Sequence, residues 1–461
     1  MKKLLLILLL CCSSIFGQNV KINYLTFQEV KPILETLKSS LPENVKLIKN
    51  ESQWSAWVKK SDSDIRQRLE KGDEDSIVNQ FLFGNSFTNQ PRLTESEISR
   101  LAQEKSKDAV KLYEEVIRDR LEDFTNIVVS QSNNERMSFA RDYFRKKIKF
   151  ELNTPEGKLE IKRIVVASLV RVINEAKSYT AIIEQTRNNQ DEEFAARSAV
   201  YQSRGLSSDT SLKPNLAIEN AIRQIKEKGL TNQVLRVAIV GPGLDFTDKD
   251  QGYDFYPPQS IQPFAVIESL LKLKLSVKTN LKIDTYDLSP KVNSHIANFR
   301  LRATKNQPYQ LQLPLLSDTN WTKEFTDYWS GFGSFIGKQT APISAPSNLK
   351  TLKLRAVLVN SEYLGKIKSF DTNIVLQSPV LPEKDKYDLI IGTNIFVYYG
   401  EFEKALIMKN AEKMLRKGGI LLSNDALTEI AATNMRKIGQ TEIFYSDKKI
   451  DGDLVVWYQK K

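Results

Sequence analysis

Few side chains in this chain could do covalent chemistry at neutral pH. Both cysteines, Cys11 and Cys12, fall in the first dozen residues, and His295 is the single histidine. Beyond Cys12 there is no thiol nucleophile, disulfide or thiolate metal site, and a His-rich zinc site cannot be built. A Ser-His-Asp triad would have to use His295, and no G-x-S-x-G elbow supplies its serine. The setting of His295, SPKVNSHIANF, reads instead as a helix holding a partly buried structural histidine. Gly337-Lys338-Gln339-Thr340 looks like the end of a phosphate-binding loop. The upstream glycines are wrongly spaced, however, and Gln339 stands where a hydroxyl is needed. What remains is binding chemistry. The run LRVAIVGPGLD, Leu235 to Asp245, takes a buried apolar strand into Gly241-Pro242-Gly243. A Cβ in such a turn would block both the sharp bend and the approach of a ligand. KIDTYDLSP, Lys282 to Pro290, is a second strand, ending in Asp287.

A mostly parallel sheet is the scaffold that would position these residues. Strand one is Arg236–Val240, and after an insertion at 244–260 the helix IQPFAVIESLLKLKL follows. That insertion carries Tyr253, Phe255 and Tyr256 beside Pro257 and Pro258, and is expected to lie as an ordered loop over the ligand end of the sheet. Strand two ends at Asp287, and Pro290 opens the next helix. A second insertion, 303–350, holds Trp321, Phe325, Tyr328, Trp329, Phe332 and Phe335, suited to packing or to a substrate pocket. A third strand with a companion hairpin is expected within Leu352–Val375, and a fourth at Asp388–Tyr399. A helix at Glu401–Arg416 leads into strand five, Ile420–Asn424. Strands at Thr441–Tyr445 and Asp453–Gln459 form a terminal antiparallel hairpin, which a doubly wound dinucleotide dehydrogenase generally lacks.

The first half, 19–202, reads as a mainly helical domain. Thr94-Glu95-Ser96-Glu97 is a capping box opening an amphipathic helix, and Thr154-Pro155 announces another. A first helix is expected from Ser61–Asp64 to about Glu70, with Trp54 and Trp57 ahead of it. Phe81 to Arg92 reads as a packed loop. Residues 203–230 read as a linker and a connecting helix into the second domain, 231–461. Lys2 and Lys3 ahead of the apolar run Leu4–Leu10 make residues 1–18 a secretory signal by charge and length, too short to span a membrane. The expected location is periplasmic or secreted; Leu10 before Cys11 does not suit lipid anchoring. No other stretch is long and apolar enough to cross a bilayer. Net charge is +11, but the lysines are dispersed, which disfavours nucleic acid as a partner.

From about Thr231 onward the chain resembles the class I S-adenosylmethionine-dependent methyltransferases. The strongest stretch is DLIIGTNIFVYYGEFEKALIMKNAEKMLRKGGILLSND, similar in its strand to chemotaxis-receptor methyltransferases. The resemblance implies an α/β fold with a Rossmann-like, mostly parallel sheet and a C-terminal antiparallel hairpin, here preceded by the helical domain. It implies S-adenosylmethionine as cofactor, with Gly241 and Gly243 along its methionine part and Asp287 accepting from the ribose hydroxyls. Asp371 would lie at the adenine end, and Thr393 and Asn394 beside the sulfonium. The implied reaction is in-line methyl transfer to an acceptor, small molecule or protein, held in place without a dedicated base. Asn394, Tyr398, Tyr399 and Asp425 would face that acceptor. Two departures matter: Ile239 stands where the family carries an acidic residue, leaving Asp245 as a substitute, and a third glycine is absent. The alternative is an exported, non-catalytic binding or scaffold protein that keeps a degenerate form of the fold.

Overall fold

The computed structural model describes residues 20–93, 97, 107–130, 132, 134–186, 200–202, 204–246, 254–315, 320–346, 353–447 and 452–461. The expected signal, most of the capping pattern at 94–97, and Tyr253 lie outside them. The described chain opens with β1 (Ile22–Tyr24), α1 (Phe27–Thr36), α2 (Glu43–Lys46) and α3 (Glu51–Phe83), then α4 (Lys107–Val129), α5 (Glu135–Lys147) and α6 (Pro155–Thr186). α3 starts about ten residues earlier than expected, because Asn50 caps it by accepting from Gln53 N at 3.0 Å. Trp54 and Trp57 are therefore helical and stack at 5.0 Å, and Trp54 Nε1 donates to Leu25 O at 2.6 Å. Thr154 caps α6 as expected, accepting from Gly157 N.

The second half runs α7 (Pro214–Glu227), β2 (Arg236–Val240), α8 (Gln262–Lys272), β3 (Lys282–Asp287), α9 (Pro290–Thr304), β4 (Tyr309–Pro314), α10 (Lys323–Gly331), β5 (Gly337–Thr340), β6 (Leu354–Val359), α11 (Ser361–Leu364), β7 (Ile367–Asp371), β8 (Gln377–Pro379), β9 (Tyr387–Gly392), α12 (Glu401–Met414), β10 (Leu415–Ser423), β11 (Met435–Phe444) and β12 (Gly452–Lys460). Seven strands make one sheet in the order β11-β12-β10-β9-β2-β3-β7. β10, β9, β2, β3 and β7 are parallel; β12 runs antiparallel to β10, and β11 antiparallel to β12. Both faces are covered, which is why the strands are apolar throughout rather than alternating. Val237, Ile239, Leu389 and Ile391 pack toward α7, α8 and α9, while Ala238, Val240, Ile390 and Leu421 pack toward α12 and the N-terminal helices.

Two expectations about strands are corrected. The fourth ends at Gly392 rather than Tyr399, because Asn394 takes a left-handed φ of 59° and turns the chain out of the sheet. The Leu352–Val375 region supplies strands to two sheets: β7 joins the main one, and β6 pairs with β4 and β5 in a three-stranded sheet built on the second insertion. That insertion is core, with Trp329 and Phe332 buried against the sheet cluster.

The N-terminal half is not packed as a separate body. β1 pairs with β8, and Val30, Ile33, Trp54 and Val58 share a core with Ile390, Leu421 and α12. Farther along α3, Ile77 and Phe81 belong to a helical core with Phe124, Phe144 and Ile161. A helix of 33 residues is about 50 Å long, enough to serve both cores. Arg136 of α5 pins the halves together. It is 1% exposed and donates to the carbonyls of Phe246, Tyr256 and Asp245, with its guanidinium 5.3 Å from the Tyr256 ring. Arg136→Ala leaves those carbonyls buried without donors and is expected to destabilise the chain by about 2–4 kcal/mol. The midpoint of urea unfolding reads this; an unchanged midpoint would mean the clamp contributes nothing.

Candidate functional site

The chain progresses outward through β2, β3 and β7, then returns to place β9 on the other side of β2. Between β2 and β9 the strand order reverses, and open parallel sheets hold their ligands at the carboxyl ends of strands at such a point. A cavity of about 820 Å³ lies there, near the upper end of the range for small-ligand sites, roughly 300–1,000 Å³. Val240, Gly241 and Gly243 line it at the end of β2, Tyr286 to Ser289 at the end of β3, Thr372 and Ile374 after β7, and Thr393 to Ile395 with Val397 to Tyr399 after β9.

The turn after β2 needs its glycines. Gly241 and Gly243 have φ of 64° and 63°, and a Cβ on Gly241 would run into Ile395, while one on Gly243 would come within 2.9 Å of Thr210 Cβ. Asp287 sits opposite. Its Oδ1 accepts from Ser289 N at 2.7 Å, and the backbone N–H groups of Gly243 and Leu288 also point at the carboxyl. Burial nevertheless pushes its pKa up to about 7; the three N–H groups pull against this, and the neighbouring Asp371 adds to it. Thr393 Oγ1 accepts from Gln262 Nε2 at 2.9 Å, and Asn394 exchanges hydrogen bonds with Asn424 through its backbone N–H at 2.7 Å and its side-chain oxygen at 2.6 Å.

Five of the seven site residues expected from sequence, Gly241, Gly243, Asp287, Thr393 and Asn394, therefore converge on one cavity, together with Tyr398 and Tyr399. Asp245 does not line it. Its buried carboxyl accepts from Tyr256 at 2.9 Å and Gln259 at 3.0 Å, and burial raises its pKa. Asp371, paired in register with Asp287, turns away to Arg66 at 2.9 Å. Asp425 is held in a 2.6 Å ion pair with Lys404, outside the cavity. His295 hydrogen-bonds Tyr309 at 2.8 Å, and burial lowers its pKa to about 4, so it is a neutral structural group.

The other wall comes from stretches that carry no recognisable motif. Asp75, Asn79, Leu82 and Phe83 of α3 and Glu175 of α6 face the strand ends. The 204–211 segment, expected as a linker, runs along the cavity beside the glycine turn: Leu244 N donates to Ser208 O at 2.8 Å, and Thr210 N to Leu244 O at 2.9 Å. It crosses α3 at Gly72 and Gly205: a Cβ on Gly205 would run into the backbone of Lys71 and Gly72, and one on Gly72 into that of Leu206 and Ser207. Arg68 fixes the crossing, donating to the carbonyls of Arg204 and Tyr398 at 3.1–3.2 Å and of Tyr201 at 3.3 Å. Neither aromatic insertion contributes a lining residue among those described, so the helical half supplies the roof that the 244–260 loop was expected to form.

The parallel sheet, its reversal between β2 and β9 and its terminal antiparallel hairpin match what the sequence resemblance implies. The fold is α/β, a methyltransferase-type Rossmann-like sheet that is mostly parallel with a C-terminal antiparallel hairpin. Solved structures similar to this chain include the N-methyltransferase NodS from Bradyrhizobium japonicum WM9, at 11% identity over 53% of this chain and 97% of its own, with a TM-score of 0.25. Magnesium protoporphyrin IX methyltransferase from Synechocystis PCC 6803, with bound SAM, aligns over 61% of this chain and 97% of its own, at 7% identity and a TM-score of 0.26. MtNAS in complex with MTA and tNA aligns over 79% and 97%, at 11% identity and a TM-score of 0.26. No family model and no curated protein matches by sequence.

Asp287 gives this methyltransferase-like fold a pH signature. Folded, the carboxyl keeps its proton up to about pH 7, against an ordinary value of 3.8. Its contribution to stability is therefore complete below about pH 4 and is lost as pH rises through 7. Asp287→Asn cannot ionise, so its melting temperature should rise relative to the parent between pH 4 and pH 8. An equal difference at both pH values would contradict the assignment.

Proposed function

We propose that the cavity binds S-adenosylmethionine and that the chain transfers its methyl group to a small molecule enclosed beside it. The observation carrying this reading is the convergence of the two left-handed glycines, the carboxyl of Asp287 and the Thr393-Asn394 turn on a single cavity at the strand-order reversal. The fold described above is compatible with the cofactor, and the donor set suits it. Gly241 and Gly243 would follow the methionine part, and Asp287, once ionised, would accept from both ribose hydroxyls. Asp209 lines the cavity from the 204–211 segment and accepts from Phe246 N at 3.1 Å. It would face the donor's ammonium, where Ile239 leaves the strand without a carboxylate. Thr393 and Asn394 would flank the sulfonium. When bound, the cofactor supplies an electrophilic methyl group. The protein's part is to hold donor and acceptor in line inside a cavity closed by α3 and α6, so that positioning lowers the barrier. The enclosing roof favours a small acceptor over a protein or a nucleic acid.

One feature supports a second reading. The charged and apolar run at residues 2–10 has the form of an export signal, and the donor is made in the cytoplasm, so an exported chain could keep the fold as a binding module alone. Calorimetry with S-adenosylmethionine and S-adenosylhomocysteine separates the two. Micromolar binding is expected, abolished by Asp287→Ala and about tenfold weaker at pH 6 than at pH 8, because the bound state needs a carboxylate with a pKa near 7. A folded chain that binds neither compound would leave the binding-module reading.

A further inference from the structure

This inference rests on the donor reading above and concerns the amino-acid end of the donor. We infer that Asn424 is a positioning residue for Asn394. It turns the Asn394 amide so that the N–H groups face the cavity, where together with the hydroxyl of Ser208 they hold the donor's carboxylate and select it over a decarboxylated donor.

The hydrogen bonds around Asn424 allow one arrangement. The backbone N–H of Asn394 can only donate, and it meets the Asn424 side chain at 2.7 Å, so the atom it meets is the oxygen, Oδ1. Asn424 Nδ2 is thereby placed, and it donates to the Asn394 side chain at 2.6 Å and to Asp453 Oδ1 at 3.2 Å. The Asn394 atom accepting that bond must be its own oxygen, which leaves Nδ2 on the other edge of the amide. Asn394 is exposed and lines the cavity, and among the described residues nothing accepts from its Nδ2. The pair is braced from the terminal hairpin: Asn424 is buried, and Tyr445, just past β11, donates to Oδ2 of Asp453 in β12 at 2.6 Å.

A second donor lies across the glycine turn. A Cβ on Gly241 would run into Ile395, the neighbour of Asn394, and one on Gly243 would come within 3.0 Å of Ser208 O. The turn therefore sits between the Asn394-Ile395 corner and Ser208. Ser208 lines the same cavity and is 7% exposed, and its Oγ has no hydrogen-bond partner among the described residues. Buried hydroxyl groups are normally satisfied, so this one points to a ligand atom at the turn independently of the amide. The amide edge offers only donors, and the hydroxyl can donate with it. In the amino-acid part of the donor, the carboxylate is the group that accepts; the ammonium and the sulfonium do not. Neutral donors must serve here, because Arg204 is the one cation among the described lining residues and Glu175 holds it at 3.2 Å.

The test is calorimetry at pH 8 on the purified chain with S-adenosylhomocysteine and with its decarboxylated analogue, which keeps the amine and lacks the carboxylate. The parent is expected to bind S-adenosylhomocysteine at least about tenfold more tightly than the analogue. Asn394→Ala and Ser208→Ala are each expected to weaken S-adenosylhomocysteine about fivefold and the analogue by less than about twofold. Asn424→Asp keeps an oxygen for the Asn394 N–H but has no N–H to give. The Asn394 amide then turns over and meets the ligand's carboxylate with its oxygen, so the same carboxylate-dependent loss is expected. Equal affinity of the parent for both compounds, or variants that lose both equally, would overturn the inference and leave the donor reading standing. A folded parent that binds neither compound would sink the donor reading itself. If Asn424→Asp does not fold, the parent and Asn394→Ala decide the matter.

Discussion

Everything on the roofed side of the cavity depends on one backbone crossing. At Gly72 and Gly205 the chain passes over α3 so closely that neither residue has room for a side chain. From that point the 204–211 segment reaches the end of β2 and forms a wall of the cavity. Arg68 ties these segments together, since its guanidinium binds the carbonyls of Tyr201, Arg204 and Tyr398, which belong to the wall and to the turn after β9. An arginine satisfied by carbonyls needs no buried carboxylate partner, and its fork geometry fixes several backbones at once. Arg136 and Arg120 use the same device elsewhere; burial lowers the pKa of Arg120 to about 10, and it grips the carbonyls of Phe81, Gly84, Gln90 and Pro91.

The sheet end and the helical roof ask different things of their residues. At the strand ends, the turn glycines and Asp287 answer to backbone geometry: two left-handed φ values, and a carboxyl facing three N–H groups. In the roof, Asp75 and Glu175 are placed by long helices; α3 is held in register by Trp57 against Phe402 at one end and by Phe81 against Phe124 at the other. The two parts of the site are coupled by packing and by hydrogen bonds, Arg68 of α3 donating to Tyr398 O after β9 and Leu244 N to Ser208 O beside the glycine turn.

That division explains what could be read from sequence. β2 with its glycines, β3 with Asp287 and the terminal hairpin were legible because each is a local pattern of apolar run, turn residue and charge. Asp245 was a natural candidate by spacing, yet it points to Tyr256 and Gln259, since the chain after Gly243 turns to pair Asp245 with Gln259. Asp371 has its backbone where expected, but Arg66 of α3 claims its carboxylate, and contacts 305 residues apart leave no periodic trace. The wall at 204–211 reads as a linker because serine and glycine are as much at home in a tight-packed connector as in a loose one. The start of α3 was missed because Asn50 is an ordinary residue until its cap geometry is seen.

The central claim is that strand ends and helical roof enclose one ligand site. Hydrogen–deuterium exchange with and without S-adenosylhomocysteine tests it most directly. The account predicts that the ligand slows exchange together in 204–211, 241–245, 286–290 and 393–400 and in the facing turns of α3 between Gly72 and Phe83. Protection confined to the sheet segments, with α3 and 204–211 unchanged, would contradict a shared, roofed cavity.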